Sequence, residues 1–202
     1  SVVTNRKKAY VAEFLGTGAM VGFGLLAVAL FWSASSPLSA LSISPGIRRL
    51  MTGFFFAGGA TLIIYSALGQ LSGGHINPSV TLGFLFLNKI SLGDAAFYLV
   101  AQITGGISGV AILYLGLFHG LGWSDAIAVG ATQPGEGYAI GVVFLAEVTI
   151  TFLLMLTILL MSNRHTVARF TPAAAGFVVM TEVWLEAPVS GTSLNEARSR
   201  RI

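Results

Sequence analysis

Residues 72–83 read SGGHINPSVTLG, and this stretch decides the fold. Asn77 followed by Pro78 is typical of a helix start, because the Asn side chain can cap unpaired backbone donors and Pro suits the first helical position. The predicted helix runs only to about residue 88, which is shorter than the ~20 residues that cross a bilayer. In a very hydrophobic chain, such a helix is tolerated at membrane depth where it lines a water-filled cavity or is buried in protein. The stretch therefore predicts a pore or a binding site, with an ordinary capped helix as the alternative.

A second copy of the pattern favours the pore. Residues 190–199 read SGTSLNEARS and place Asn195 after a Ser-Gly pair, as the first stretch places Asn77, with the spacing equal to within a residue. Glu13 in AEFLGT and Glu147 in AEVTITF form another matched pair, each opening a long apolar run. Internal repeats with an interrupted segment in each half indicate a site at the repeat interface, near the membrane midplane.

Composition indicates an integral, multi-pass membrane protein. The 202 residues are 54% hydrophobic and 9% charged, with a mean hydropathy of +0.82, whereas soluble domains carry roughly 25% charged residues. The net charge of +3 is better explained by loop topology than by nucleic-acid binding, since no basic patch is interleaved with aromatic residues. The absence of Cys excludes disulfides and thiolate metal sites. We expect no cofactor, no metal, no cleavable signal peptide and no enzyme activity, because no catalytic set or phosphate-binding loop is found.

Hydropathy predicts five full spans, at about residues 10–32, 47–68, 92–117, 138–161 and 172–185. Cytoplasmic loops carry an excess of Lys and Arg. An intracellular N-terminus satisfies this rule, because it leaves only Arg48 and Arg49 outside and puts the other loop cations on the cytoplasmic side: Arg6, Lys7, Lys8, Lys89, Arg164 and Arg169. The two short helices are then predicted to enter from opposite faces and to meet N-terminus to N-terminus.

The ordered set of motifs resembles the aquaporin, or major intrinsic protein, family over nearly the whole chain. It comprises AEFLGT, SGGHINPSVTLG, AQITGG, AEVTITF and APVSGTSLN followed by AR. The resemblance implies a single all-α channel domain over residues 1–202, built from a repeat at about 9–117 and a second, truncated repeat at about 138–202. The implied fold is a right-handed bundle of tilted spans with two re-entrant half-helices, assembled as a homotetramer with one pore per subunit. The sixth span of the family is expected to be missing from this chain.

The resemblance also assigns residues to the pore. The two family motifs, Asn-Pro-Ala, correspond here to Asn77, Pro78 and Ser79 and to Asn195, Glu196 and Ala197, with Glu196 standing where Pro is expected. The two Asn amides are expected to donate hydrogen bonds to a passing oxygen atom, while the two helix N-termini disfavour cations and protons. Glu196 is expected to be protonated, paired with a nearby Arg, or away from the midplane.

The selectivity filter and the supporting residues are carried over in the same way. Ungapped spacing from the two Asn residues assigns the filter to Ala57, Val183, Thr192 and Arg198. The small Ala57 and Val183 imply a constriction wide enough for small neutral solutes, whereas Ser199 resembles the water-selective branch. The resemblance also implies a pore-lining loop of four residues: Gly73, Gly74, His75 and Ile76. A structural role for His75 is the alternative. Glu13 and Glu147 are expected to be buried acids that hold the loop backbones. Gln102 is expected to bond a loop rather than the solute.

These residues predict a passive channel for water, with small neutral solutes such as glycerol as further permeants and with ions and protons excluded. The alternative is a non-conducting, aquaporin-like structural subunit of a larger membrane assembly, which Glu196 and the missing span motivate. A secondary transporter is a third hypothesis, since broken inverted repeats occur there as well, and Glu182 is the spare intramembrane acid that it needs. The expected surroundings are membrane lipid in the cell (inner) membrane, and a membrane-protein partner if the sixth span is absent.

Overall fold

The computed structural model describes residues 2–123, 135 and 137–190, with side chains from residue 5 onward. Every regular element in this part of the chain is helical. The elements are α1 Val2–Trp32, α2 Pro45–Tyr65, α3 Ala67–Ser72, α4 Pro78–Phe86, α5 Leu92–Leu113, a π-helical turn Tyr114–Phe118, α6 His119–Leu121, α7 Ile140–Ser162, a 3₁₀ turn Ala168–Phe170 and α8 Thr171–Ser190. The prediction of an all-α membrane protein is confirmed. The division into two repeats stays a prediction.

Four helical stretches of the described residues are long and apolar enough to cross a membrane: Asn5–Trp32, Pro45–Tyr65, Leu92–Leu121 and Ile140–Ser162. The fifth predicted span falls in α8, which has 20 residues. Two glutamates, Glu182 and Glu186, lower the mean hydropathy of α8. For this reason α8 is not among the four candidate membrane spans.

Several predicted boundaries are corrected by local capping. The second span ends at Tyr65 and not at residue 68, because Ser66 adopts an extended backbone (φ −71°, ψ 174°) and its side chain caps α3. The short helix ends at Phe86, since Asn88 enters the left-handed region with φ +54°. The first helix begins at Val2, well before residue 10. The basic residues Arg6, Lys7 and Lys8 are part of this helix, and their side chains are exposed. The last helix runs beyond residue 185 to Ser190.

The helix α1 lies at the centre of the described bundle, where it packs against α2, α3 and α5, whereas α8 packs against α2 and α7. Glycines allow α1 and α5 to approach at backbone distance. A Cβ atom added at Gly18 would lie 2.9 Å from the carbonyl oxygen of Gly105, and one added at Gly109 would overlap the carbonyl oxygen of Gly18. Small residues permit such close helix contacts in membranes, and α5, which is held against α1 in this way, also packs against the short helix α4.

Arg48 holds the C-terminal end of α1. Its guanidinium donates to the carbonyl oxygens of Phe31 at 2.8 Å, Leu41 at 3.2 Å and Ile43 at 3.2 Å. A guanidinium offers five donors in a rigid fork, so it suits three carbonyl acceptors at once. Arg48 therefore ties the connection between α1 and α2 to the start of α2.

Candidate pore and its supporting network

The turn between α3 and α4 sends the chain back toward the interior. Gly73 and Gly74 have φ of +86° and +64°, and Ile76 has φ of +39°; only glycine adopts this left-handed region without steric cost. Asn77 then returns to an extended backbone, and its Oδ1 accepts a hydrogen bond from the Ser79 N–H at 2.8 Å. Pro78 occupies the first turn of α4. The predicted Asn-Pro helix start is therefore present, and it begins a helix of 9 residues.

Glu13 supports this turn from the middle of the bundle. Its carboxylate is fully buried, and it accepts hydrogen bonds from the backbone N–H groups of His75 at 3.0 Å and Ile76 at 2.7 Å. Hydrogen bonds to an ionised acceptor are about twice as strong as those between neutral groups. The strained backbone of the turn therefore has a strong acceptor for two of its donors.

Gln102 of α5 links Glu13 to α4. Its Nε2 donates to Glu13 Oε2 at 2.7 Å and to Thr81 Oγ1 at 2.9 Å, and both Gln102 and Thr81 are buried. The Thr81 hydroxyl in turn donates to the Asn77 carbonyl at 3.2 Å. Gln102 thus bonds Glu13, the acid that holds the loop, and Thr81 of the half-helix. The result is one hydrogen-bond network that joins α1, α5 and α4.

His75 belongs to the same network. Its Nδ1 lies 3.1 Å from Thr81 Oγ1, and its ring stacks on Phe84 at 4.8 Å and meets Tyr98 edge-on at 5.2 Å. Tyr98 also donates to the Ser72 carbonyl at 2.7 Å. The ring is therefore held on three sides, while the residue still lines a cavity. The structural and pore-lining interpretations of His75 both agree with this geometry.

Two cavities share Asn77, the residue before α4, in their linings. The first has a volume of about 360 Å³ and is lined by the turn residues Gly73, Gly74, His75 and Ile76. The second has a volume of about 410 Å³ and is lined by Glu147, Glu182 and Val183. Five residues line both cavities, and they are Met20, Phe56, Asn77, Leu154 and Val179. The two spaces therefore adjoin at Asn77.

Comparison with known proteins shows the family of this chain. Residues 1–200 match the family model described as Major intrinsic protein. The chain belongs to the major intrinsic protein family. Similar proteins include probable aquaporin PIP2-5 of Arabidopsis thaliana, 31% identical over 95% of this chain and 68% of that protein, and aquaporin PIP1-5 of Zea mays, 33% identical over 95% of this chain and 65% of that protein. The chain thus spans about two thirds of the length of these relatives.

A solved structure supports the fold independently. The X-ray structure of the aquaglyceroporin from Plasmodium falciparum aligns with a TM-score of 0.73 at 21% identity, covering 96% of this chain and 80% of that chain. This aquaporin-family chain is accordingly a multi-pass membrane protein with the aquaporin fold, and its family consists of channels and not of enzymes.

The structure describes two of the four predicted filter residues. Ala57 lines the first cavity and Val183 the second, and both side chains are buried. Their assignment to a selectivity filter stays a prediction. Phe56, one residue before Ala57, lines both cavities. Sequence reasoning missed it, although the aromatic run at residues 54–56 was a signal.

The second half of the predicted site is described only up to Ser190. The Ser190 hydroxyl donates to Glu147 Oε1, so Glu147 contacts the residue that precedes the second motif.

Of the first motif, Pro78 and Ser79 are exposed and line neither of the two cavities. The remaining predicted positions lie outside the described residues: Thr192, Asn195, Glu196, Ala197 and Arg198.

Proposed function

We propose that this protein is a passive membrane channel for water, with small neutral solutes such as glycerol as slower permeants, and that it excludes ions and protons. The observation that carries the proposal is the position of Asn77 between two adjoining cavities. Its Oδ1 accepts the helix-capping hydrogen bond from Ser79 N. Because an Asn amide has two donors on its nitrogen, the Nδ2 group remains to donate to a permeating oxygen atom.

Ion exclusion follows from charge and desolvation at this point. The N-terminus of α4, which begins at Pro78, carries a partial positive charge equivalent to roughly half an elementary charge. The side chains shared by the two cavities besides Asn77 are apolar, namely Met20, Phe56, Leu154 and Val179, and such walls do not replace the hydration shell of an ion. In the proposal, Asn195 and Arg198 supply the matching half-helix and a fixed cation.

Water is the preferred permeant because an aromatic ring borders the passage. Phe56 borders both cavities beside Asn77, whereas the smaller Ala57 borders only the first. A flat ring restricts the cross-section without adding a hydrogen-bonding group, so a molecule as small as water passes more easily than a polyol.

The proposed setting is a homotetramer in the cell (inner) membrane with a cytoplasmic N-terminus. Three exposed cations near the start of α1 support this orientation: Arg6, Lys7 and Lys8. Lys89, in the turn after α4, is exposed as well. Their number relative to the opposite loops fits the positive-inside rule. Crosslinking in native membranes tests the tetramer, and protease access to the N-terminus tests the orientation.

The function is tested with Asn77→Asp in proteoliposomes under an osmotic shock. Asp keeps the side-chain oxygen that caps α4 but replaces the Nδ2 donors with a negative charge. We expect osmotic water permeability to fall roughly fivefold, about the effect of one lost hydrogen bond of ~1 kcal/mol, and cation leak to rise. Asn88→Asp makes the same chemical change at the exposed end of α4 and should leave both fluxes unchanged.

The non-conducting alternative predicts a different result. Wild-type protein would then give the permeability of empty liposomes despite normal incorporation, and Asn77→Asp would change nothing. Saturable, gradient-driven uptake would instead support a transporter. Either outcome would reject the channel proposal.

A further inference from the structure

A cavity outside the pore lies at the N-terminal end of α1. It has a volume of about 310 Å³, and we call it the basic cleft. Its walls are Lys7, Lys8, Val11 and Ala12 of α1 and Leu68 and Leu71 of α3. Residues three and four positions apart share a helix face. The two lysines therefore stand one turn above Val11 and Ala12, on the side of α1 that faces α3.

The inner surface of the cleft is apolar, so Lys7 and Lys8 line it with their aliphatic stems, and their ammonium groups are free to reach its exposed rim. The neighbouring Arg6 Nη1 lies 3.5 Å from Asp94 Oδ1, so the Asp94 carboxylate is paired with Arg6 and not with the lysines. Lys7 and Lys8 are exposed, and neither forms an ion pair with a described residue. Two unneutralised ammonium groups thus stand at the end of a candidate membrane span, Asn5–Trp32, where lipid headgroups lie.

An apolar stripe continues from the cleft along α1. Val11, Leu15 and Phe23 are 55%, 47% and 44% exposed, and the stripe follows steps of four residues. Beyond Val11 it enters a second groove of about 360 Å³ between α1 and α5, whose lining includes Leu15, Ala19 and Phe23. The Ser108 hydroxyl in this groove donates its hydrogen bond to the Thr104 carbonyl at 2.8 Å, within α5. The groove therefore does not need a polar partner for this donor.

The length of the stripe matches one leaflet. From residue 11 to residue 23 the helix rises by roughly 18 Å at 1.5 Å per residue, and half of the hydrocarbon core of a bilayer is about 15 Å. A chain that begins beside Val11 and ends beside Phe23 would therefore reach the middle of the membrane.

We propose that the basic cleft and the groove together bind one anionic phospholipid. The phosphate of its headgroup pairs with Lys7 and Lys8, and an acyl chain lies along Val11, Leu15, Ala19 and Phe23. Basic pockets beside membrane helices recognise acidic headgroups in this way. A zwitterionic lipid fills the same groove but carries no net negative charge for the two lysines, so the site selects by headgroup. This site is independent of the pore and of the proposed permeant.

The test is native mass spectrometry of the full chain in detergent, titrated with phosphatidylglycerol or with phosphatidylcholine. We expect wild-type protein to bind phosphatidylglycerol more tightly. The double variant Lys7→Gln/Lys8→Gln should lose this preference, with phosphatidylglycerol binding weakened roughly 10- to 30-fold, as expected for two lysines near an anionic lipid. The matched control Lys89→Gln/Arg164→Gln removes two exposed cations elsewhere and should keep the preference.

A second variant separates the acyl groove from the headgroup contact. Ala19→Trp places a large ring in the groove at an exposed position and should weaken both lipids equally while the lysine-dependent preference remains. The proposal is overturned if Lys7→Gln/Lys8→Gln binds phosphatidylglycerol as wild type does, if the control loses the preference equally, or if Ala19→Trp leaves lipid binding unchanged. It is also overturned if Ala19→Trp changes only the oligomeric state, since the groove would then be an interface between copies. Unaltered thermal unfolding and osmotic permeability establish that the variants are folded.

Discussion

The carboxylate of Glu13 on α1 lies 2.7 Å from the backbone nitrogen of Ile76, 63 residues later in the chain. Ile76 has φ of +39°, a conformation that is costly for a β-branched residue. Its side chain is buried, and there is room for it because the facing residue is Gly16, where a Cβ atom would lie 2.9 Å from Ile76 Cγ2. A charged acceptor and a glycine on α1 thus hold the strained residue that precedes Asn77.

We expect Glu13→Gln to destabilise the protein by roughly 1.5–3 kcal/mol, the usual contribution of hydrogen bonds to a charged group. Gln retains one acceptor oxygen, but its NH₂ group would face a backbone donor, either His75 or Ile76, or the Gln102 amide. The measurement is denaturant or thermal unfolding in detergent.

Glu182→Gln is the matched control for Glu13→Gln. The Glu182 Oε1 atom is buried without a hydrogen-bond partner among the described residues, so replacing the carboxyl group with an amide breaks no hydrogen bond of that oxygen and should be nearly neutral. If the two variants unfold at the same temperature, the idea that Glu13 holds the turn is wrong.

Thr81→Val tests the link between α5 and the half-helix. Val has nearly the shape of Thr but removes an acceptor for Gln102 and a donor to the Asn77 carbonyl. Since Gln102 would then keep a buried amide hydrogen without its acceptor, we expect a loss of roughly 1–3 kcal/mol in the free energy of unfolding. Thr149→Val is the control, because the Thr149 hydroxyl donates within its own exposed helix to Leu145 O. Equal losses in both variants would contradict a special role for Thr81.

Gly109→Ala tests the close contact between α1 and α5. The added methyl group would overlap the carbonyl oxygen of Gly18, and since both atoms belong to helix backbones, the helices must separate. We expect a loss of roughly 1–3 kcal/mol, typical of overpacking. Gly141→Ala, where nothing lies within 4 Å of the added atom, should instead stabilise by up to about 1 kcal/mol. Unfolding curves of the two variants that shift in the same direction would count against this account.

The features that sequence predicted best are those set by local chemistry. The Asn77-Pro78 helix start depends on capping, and a residue's ability to cap is visible in the letters SGGHINPSVTLG. Glu13 was predicted to hold a loop backbone through the family resemblance, and its contacts with the His75 and Ile76 N–H groups are present, although its contribution to the channel stays a prediction.

The features that sequence did not predict depend on three-dimensional register. Each residue of an α-helix turns the side chain by about 100°, so neighbouring residues of α2 face different parts of the bundle. The family resemblance assigns Ala57 to the filter, which stays a prediction, but it gave no indication that Phe56 borders both cavities. The link from Gln102 to Thr81 was missed for a similar reason, since it joins residues 21 positions apart through a fold that brings α4 against α5.

Phe56→Ala tests whether the ring restricts the passage. Phe56 lines both cavities beside Asn77, so its truncation should widen the passage. We expect glycerol permeability to rise several-fold and water permeability to stay the same. The measurement is the shrinkage of proteoliposomes, with an impermeant osmolyte for water and with glycerol as the permeant osmolyte. Phe55→Ala is the control, because Phe55 is 43% exposed and packs against Phe31 at 5.8 Å, away from the cavities. Glycerol flux that rises equally in both variants would indicate general loosening of α2. Flux that rises in neither would mean that the narrowest point lies elsewhere, and the water preference would then have to come from other residues.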